Sequence, residues 1–238
     1  MKDKNNKILA YHSVGLSVDG EVGAGLYCVS VEKFKEQMKF VQSSRFKVQR
    51  EILITFDDGL IDNYINAYPI LKELGLKAYF FILVGKVGTD GYMNWGQIRE
   101  LKEAEMIIGS HGMTHRILEG LSDEDIDYEL RESKEILEEK LKAKVEYLSI
   151  PRGFANKNVN EKAKKAGYKS VFTSNPNDND GFKRGRIAVK GNWSLEKFIY
   201  VINNGLPLKD KAVLAVQSSA KKVLGARKYD RIRSALLK

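Results

Sequence analysis

Short apolar runs alternate along this chain with longer stretches in which apolar residues return every three or four positions, the mark of strands alternating with amphipathic helices. KILAYHSV (7–14) opens as a β-type run, and Ser30 is placed to cap a helix whose Val31, Phe34, Met38 and Val41 share one face. EILITF predicts the next strand, followed by a helix near 61–74 that Gly75 ends. KAYFFIL, a helix from Trp95 to Ala104, and MIIGS repeat the unit. Ser122 begins a long charged helix to Leu141, with Asp123, Glu124 and Asp125 in its first turn, where they complement the helix dipole. VEYLSI, a helix over 157–166, YKSVFT and a last run, GRIAVK, lead to terminal helices. Strands apolar on both faces need cover on both sides. The pattern therefore predicts an α/β fold with a parallel sheet; about seven units suit a closed or nearly closed barrel, and an open doubly wound sheet is the alternative.

With 238 residues, 43% of them hydrophobic, and only four prolines, the composition is globular. The chain reads as a single domain, with a core over about 7–190 and a C-terminal helical segment over about 193–238. No apolar run is long enough to span a bilayer as a helix. The start, MKDKNNKILAYHSVG, lacks the apolar centre of a secretory signal, so a chain that begins there is expected in the cytoplasm. A trimmed leader would instead place it outside the cell or in the envelope. The single cysteine, Cys28, rules out an internal disulfide and a cysteine-rich metal site, which leaves histidines and carboxylates as ligands. The net charge of +9 is spread without the basic and aromatic stripe of a nucleic-acid surface, so no nucleic-acid partner is expected. The last segment, KAVLAVQSSAKKVLGARKYDRIRSALLK, combines basic residues with apolar ones at helical spacing, such as Tyr229, Ile232 and Leu236. Docking onto the domain is the first reading of this segment, and contact with an anionic lipid surface the second.

Parallel α/β folds carry their chemistry at the carboxyl ends of the strands. Asp57 and Asp58 follow ILITF, His111 and His115 follow MIIGS, His12 ends KILAY, and the Pro151–Phe154 stretch follows VEYLSI. All three histidines and the carboxylate pair thus fall at one predicted rim. Singly, each has an ordinary account: Asp-Gly after a strand is a turn, His-x-x-x-His spacing alone is weak, and His12 suits a hydrogen-bonded core position. Together, two imidazoles and a carboxylate make a three-ligand site with a position open to water or substrate, the composition of a hydrolytic zinc site. The paired carboxylates then divide the work, one binding the metal and its neighbour acting as base.

TFDDG, then SHGMTH about fifty residues on, then LSIPRGF, resemble in that order the motifs of the polysaccharide deacetylases, also called the NodB-homology or carbohydrate esterase family four. The resemblance extends over about 7–190. It implies a distorted (β/α)7 barrel with a divalent metal, usually zinc. It further implies Asp57 as catalytic base, Asp58, His111 and His115 as metal ligands, and the backbone N–H of Phe154 as an oxyanion donor. The family usually has Ser or Thr where Gly112 stands, so a hydrogen bond steadying that loop is expected to be lost or rearranged. Its third motif usually carries Arg before the proline; here Ser149 and Ile150 precede Pro151 and Arg152 follows, which makes Arg152 the candidate to orient Asp57 or bind substrate. No histidine follows His115 to act as the family's late general acid. A branch that includes deacetylases of β-1,6-linked poly-N-acetylglucosamine looks circularly permuted, with that strand moved to the front as Tyr-His. ILAYHSV resembles it, so His12 is the candidate acid.

The function so implied is a metal-dependent hydrolase that removes acetyl groups from N-acetylated sugars of a glycan or glycan precursor, the acetylated amino-sugar glycan being its partner. An O-acetyl esterase, a lipid-linked sugar deacylase and a non-catalytic carbohydrate-binding barrel are the alternatives.

Overall fold

The computed structural model of the chain describes residues 7–15, 24–44 and 51–236. In chain order, β1 (Lys7–Tyr11), β2 (Ser13–Val14), α1 (Ala24–Tyr27), β3 (Cys28–Val29), α2 (Val31–Ser44) and β4 (Ile52–Phe56) come first. They are followed by α3 (Tyr68–Glu73), β5 (Ala78–Ile82), α4 (Trp95–Glu103), β6 (Ile107–Ser110), α5 (Asp123–Asp127), α6 (Ser133–Leu141) and β7 (Tyr147–Ser149). Last come α7 (Lys157–Lys165), β8 (Ser170–Thr173), β9 (Lys183–Gly185), β10 (Ile187–Ala188), α8 (Leu195–Asn204), α9 (Leu208–Leu224) and α10 (Ala226–Leu236). The helix starts follow local chemistry. Ser30 Oγ accepts from the Lys33 N–H, Ser122 Oγ from the Asp125 N–H, and Asn94 and Gln97 form a reciprocal capping box. The long helix expected from Ser122 to Leu141 is present, but it passes through a wider π turn over Tyr128–Glu132 between α5 and α6.

Eight strands form one parallel sheet in the order β10-β1-β4-β5-β6-β7-β8-β9. The two ends of that order are consecutive in sequence and separated by Arg186 alone. The run 183–188 pairs first with β8 (Thr173 with Gly185) and then with β1 (Leu9 with Ile187), so it closes the sheet as a single seventh stave. This is the nearly closed, distorted (β/α)7 barrel expected from the sequence, and the open doubly wound sheet is excluded. Closure removes the free sheet edges that would otherwise need covering.

Alternation along the strands sorts side chains into two layers. Leu9, Tyr11, Ile54, Phe56 and Phe80 belong to the large buried cluster shared with the helices. In that cluster Phe34 and Met38 of α2 are fully buried, and the Tyr11 hydroxyl donates to Gln37 of α2 at 2.7 Å. The opposite parity supplies Ile8, Leu53, Tyr79, Phe81, Tyr147 and Phe172, a separate cluster drawn from five strands that fills the barrel. Gly109 belongs to this inner layer because a Cβ there would lie 2.5 Å from the Phe81 ring. Continuing the inner parity to the strand ends gives His12, Asp57, His111 and Ser149. The same period that packs the interior therefore puts these residues over its mouth.

The C-terminal segment is helical and docks on the domain: Tyr229 of α10 is buried against Phe154, with ring centroids 6.2 Å apart. No helix among the described residues is long and apolar enough to cross a membrane.

Candidate active site

Asp57 and Asp58 follow β4 directly, and the backbone turns sharply there: Asp58 has φ 72° and Gly59 φ 74°. Left-handed backbone is costly for a residue with a Cβ, although Asp tolerates it better than most. The turn sends the two carboxylates to different partners. Asp57 meets Arg186, whose Nη1 and Nη2 each donate to one Asp57 oxygen at 2.7 Å. Nη1 also reaches Thr55 Oγ1 at 3.1 Å and Nη2 reaches Ser149 Oγ at 2.8 Å. The guanidinium lies over the Phe81 and Phe172 rings, between the aromatic filling of the barrel and the carboxylate. Both partners are buried, at 3% and 2% exposure. Burial pushes the Asp57 carboxyl up, but the Arg186 charge and hydrogen bonds, helped by His111 and His12, outweigh it and hold the pKa at about 2.

Asp58 meets the histidines. His111 Nε2 and His115 Nε2 stand 3.3 and 3.4 Å from Asp58 Oδ1. These are longer than charge-assisted hydrogen bonds, and neither buried Asp58 oxygen has a hydrogen-bonding donor. One ligand atom from each of Asp58, His111 and His115 lies within 4.8 Å of the others, a grouping found once among the described residues. Ligand atoms bound at about 2.0–2.1 Å around a tetrahedral ion lie about 3.3 Å apart, so the spacing and the unsatisfied carboxylate both fit a divalent cation. The outer contacts fit as well. His111 Nδ1 is 2.9 Å from the Ser149 carbonyl oxygen, which can only accept, so Nδ1 carries the proton and Nε2 of the neutral ring offers its lone pair. Burial lowers the His111 pKa, but the Asp57 and Asp58 charges reverse that and raise it above the ordinary histidine value. Burial, aided by His111 and Arg152, brings His115 down to about 4 against the pull of Asp58, which keeps this ring neutral near pH 7. Asp58 itself is held far below the carboxylate range: burial opposes this, and the His111 and His115 imidazoles that stand close to it prevail.

The loop carrying the two histidines is fixed by a residue the sequence reading passed over. Glu129, fully buried, accepts from the Met113 N–H at 2.8 Å and the Thr114 N–H at 3.0 Å, and also from the Thr114 hydroxyl and Arg116. Glu129 thus steadies the loop beside Gly112. At that position φ is 80° and a Cβ would stand 3.1 Å from Glu129 Oε2, so glycine admits the carboxylate.

His12 reaches the same rim through strand register: Tyr11 pairs with Phe56, and the Asp57 N–H donates to the Tyr11 carbonyl at 3.0 Å, which sets His12 beside Asp57. Asn63 Nδ2 donates to the His12 carbonyl at 2.7 Å, while Asp62 accepts from Ser13 Oγ and the Val14 N–H. The His12 ring lies 5.2 Å from that of Tyr27, and its buried Nδ1 has no hydrogen-bond partner among the described residues. Arg152 follows β7 with φ 58° and acts electrostatically on His115. As the residue that orients Asp57 it is corrected: Arg186 fills that place, with Ser149 as its rest. A bidentate grip on both carboxylate oxygens leaves no need for a second arginine. Phe154 is at the rim but its ring is turned into the cluster with Tyr229, Ile117 and Leu224.

The sequence profile of polysaccharide deacetylases matches residues 46–171, more than half of the chain. A Bacillus subtilis (strain 168) protein, YxkH, that bears the polysaccharide deacetylase name is 31% identical over 142 residues, covering 60% of this chain and 51% of that one. The poly-β-1,6-N-acetyl-D-glucosamine N-deacetylase of Staphylococcus aureus (strain MRSA252) is 30% identical, the match covering 65% of each chain. The chain thus spans between half and two thirds of the length of these relatives. The solved structure of the Streptococcus pyogenes deacetylase PplD superposes with a TM-score of 0.73 at 24% identity, covering 84% of this chain and 98% of that one, which establishes a shared fold. With its motifs on the strand ends of that fold, the chain belongs to the polysaccharide deacetylase family.

Proposed function

We propose that this chain hydrolyses the acetamide of N-acetylated glucosamine units in a glycan or glycan precursor, with a divalent ion, zinc by our choice, at Asp58, His111 and His115. The observation that carries the proposal is the division of the paired carboxylates, one locked by Arg186 and the other left open between two imidazoles. The bound ion supplies Lewis-acid polarisation and water acidified for attack near neutral pH. Asp57 takes the proton of the attacking water. Arg186 keeps it ionised across the physiological range and uses one lone pair of each oxygen, leaving the others for that proton. His12, held by Asn63, gives a proton to the departing amine, which is too basic to leave as an anion. The Phe154 N–H and the Arg152 side chain are assigned to the carbonyl oxygen and the sugar at the rim. The activity for which the Staphylococcus aureus relative is named supports β-1,6-linked N-acetylglucosamine as the first polymer to try. The test is acetate release from N-acetylated and O-acetylated glucosamine oligomers by zinc-loaded protein, with Asp57→Asn as control. Release from the N-acetyl substrate that the variant loses supports the reading; release from O-acetyl sugars alone replaces it with an esterase, and no release from either returns the carbohydrate-binding alternative.

A further inference from the structure

The C-terminal hairpin of α9 and α10 has two unlike faces. Its inner side closes on the domain. Tyr229 and Phe154 pack together with Ile117, Ala220 and Leu224, Lys221 lies 4.3 Å from the centre of the Phe154 ring, and Asp210 pairs with Lys197 at 3.1 Å. Its outer side is bare and apolar. Leu208 is 83% exposed, Val216 69%, Val223 84%, Val213 53% and Ile232 43%; these are five of the eight large apolar side chains exposed among the described residues. At 3.6 residues per turn Leu208, Ala212, Val216 and Val223 fall on one side of α9, so the exposure is a stripe rather than scatter.

Charge decides what this stripe suits. Residues 208–236 carry eight Lys and Arg against two Asp, and exposed Lys209, Lys211, Lys228 and Arg231 accompany the apolar positions. A second copy of a chain with net charge +9 would bring like-charged faces together. An anionic bilayer surface offers both complements at once: a headgroup boundary for Leu208, Val216 and Val223, and negative charge for lysines whose stems can lie along it. We infer that the hairpin seats the protein on an anionic lipid surface through the α9 stripe.

The test is co-sedimentation of the full chain with phosphatidylcholine vesicles and with vesicles one-third phosphatidylglycerol, at about 0.05 M and about 0.5 M salt. A Val216→Glu, Val223→Glu variant, checked for fold by circular dichroism and by its thermal unfolding, runs alongside. The proposal expects binding to the anionic vesicles that weakens about tenfold or more in high salt, in neutral vesicles and in the variant. Equal binding to both vesicle types, or a variant that binds like the parent, overturns it. A wild-type dimer that the variant converts to monomer, with no vesicle binding, assigns the stripe to a second copy instead. The readout uses neither metal nor substrate, so it stands or falls apart from the deacetylase reading.

Discussion

Arg186→Met removes the guanidinium while keeping aliphatic cover over Phe81 and Phe172. In the intact protein Asp57 titrates at about 2, against about 3.9 for an Asp in an unfolded chain. A depressed carboxylate contributes stability that is fully present above the unfolded value and is lost as the pH falls through the folded one. The depression is worth about 2.6 kcal/mol at neutral pH, and about half of that remains near pH 3. Because both groups are buried, solvent screening does not reduce it. Taking away Arg186 also strands a buried carboxylate, so the single variant should lose about 3–5 kcal/mol in urea denaturation at pH 7. Asp57→Asn in the Arg186→Met background should recover much of this, and the double-mutant cycle should give a coupling of about 2–3 kcal/mol at pH 7 that declines below about pH 4. A coupling under about 0.5 kcal/mol, or one indifferent to pH, would refute the reasoning, since it would mean that Arg186 does not set the ionisation of Asp57.

Glu129→Ala removes the oxygen that accepts both the Met113 and the Thr114 N–H; metal affinity should fall about 10–100-fold, read by competition with a chromophoric chelator. His12→Ala should lower kcat on an N-acetylated oligomer by about 10²-fold or more while metal affinity stays at the wild-type value, and unchanged turnover would exclude it as the acid. Since the His111 pKa is raised in the metal-free protein, the ion must displace a proton there. Affinity should therefore start to fall at a pH above the ordinary histidine value, with net proton release in calorimetry repeated in two buffers; proton uptake would contradict this.

The barrel was legible because its signals are local. Strands apolar on both faces, Ser30 and Ser122 at helix starts, and Gly75 after a helix each follow from neighbouring residues. The rim residues were legible for the same reason, since each sits just past a recognisable strand. What escaped was long-range. Arg186 is 129 residues from Asp57, in the run GRIAVK, whose sequence marks a strand but not which strands it closes the barrel between. Its signal was indirect: a third motif with Ser149 in place of arginine leaves Asp57 without a cation, and the last strand carries one. Glu129 sits in a helix rich in exposed acids, where only the three-dimensional path of the His111–His115 loop sets it apart. Ser149 likewise has two uses that sequence spacing cannot express, its carbonyl orienting His111 and its hydroxyl supporting Arg186.

The central claim is that one carboxylate of the pair holds metal and its neighbour does not. Calorimetric titration of zinc into chelator-stripped protein, run beside Asp58→Ala, His111→Ala and Asp57→Asn, tests it most directly. The account predicts one-to-one binding that the first two variants lose and Asp57→Asn retains. Binding that survives Asp58→Ala, or that disappears in a folded Asp57→Asn, would contradict the division of labour on which the mechanism rests.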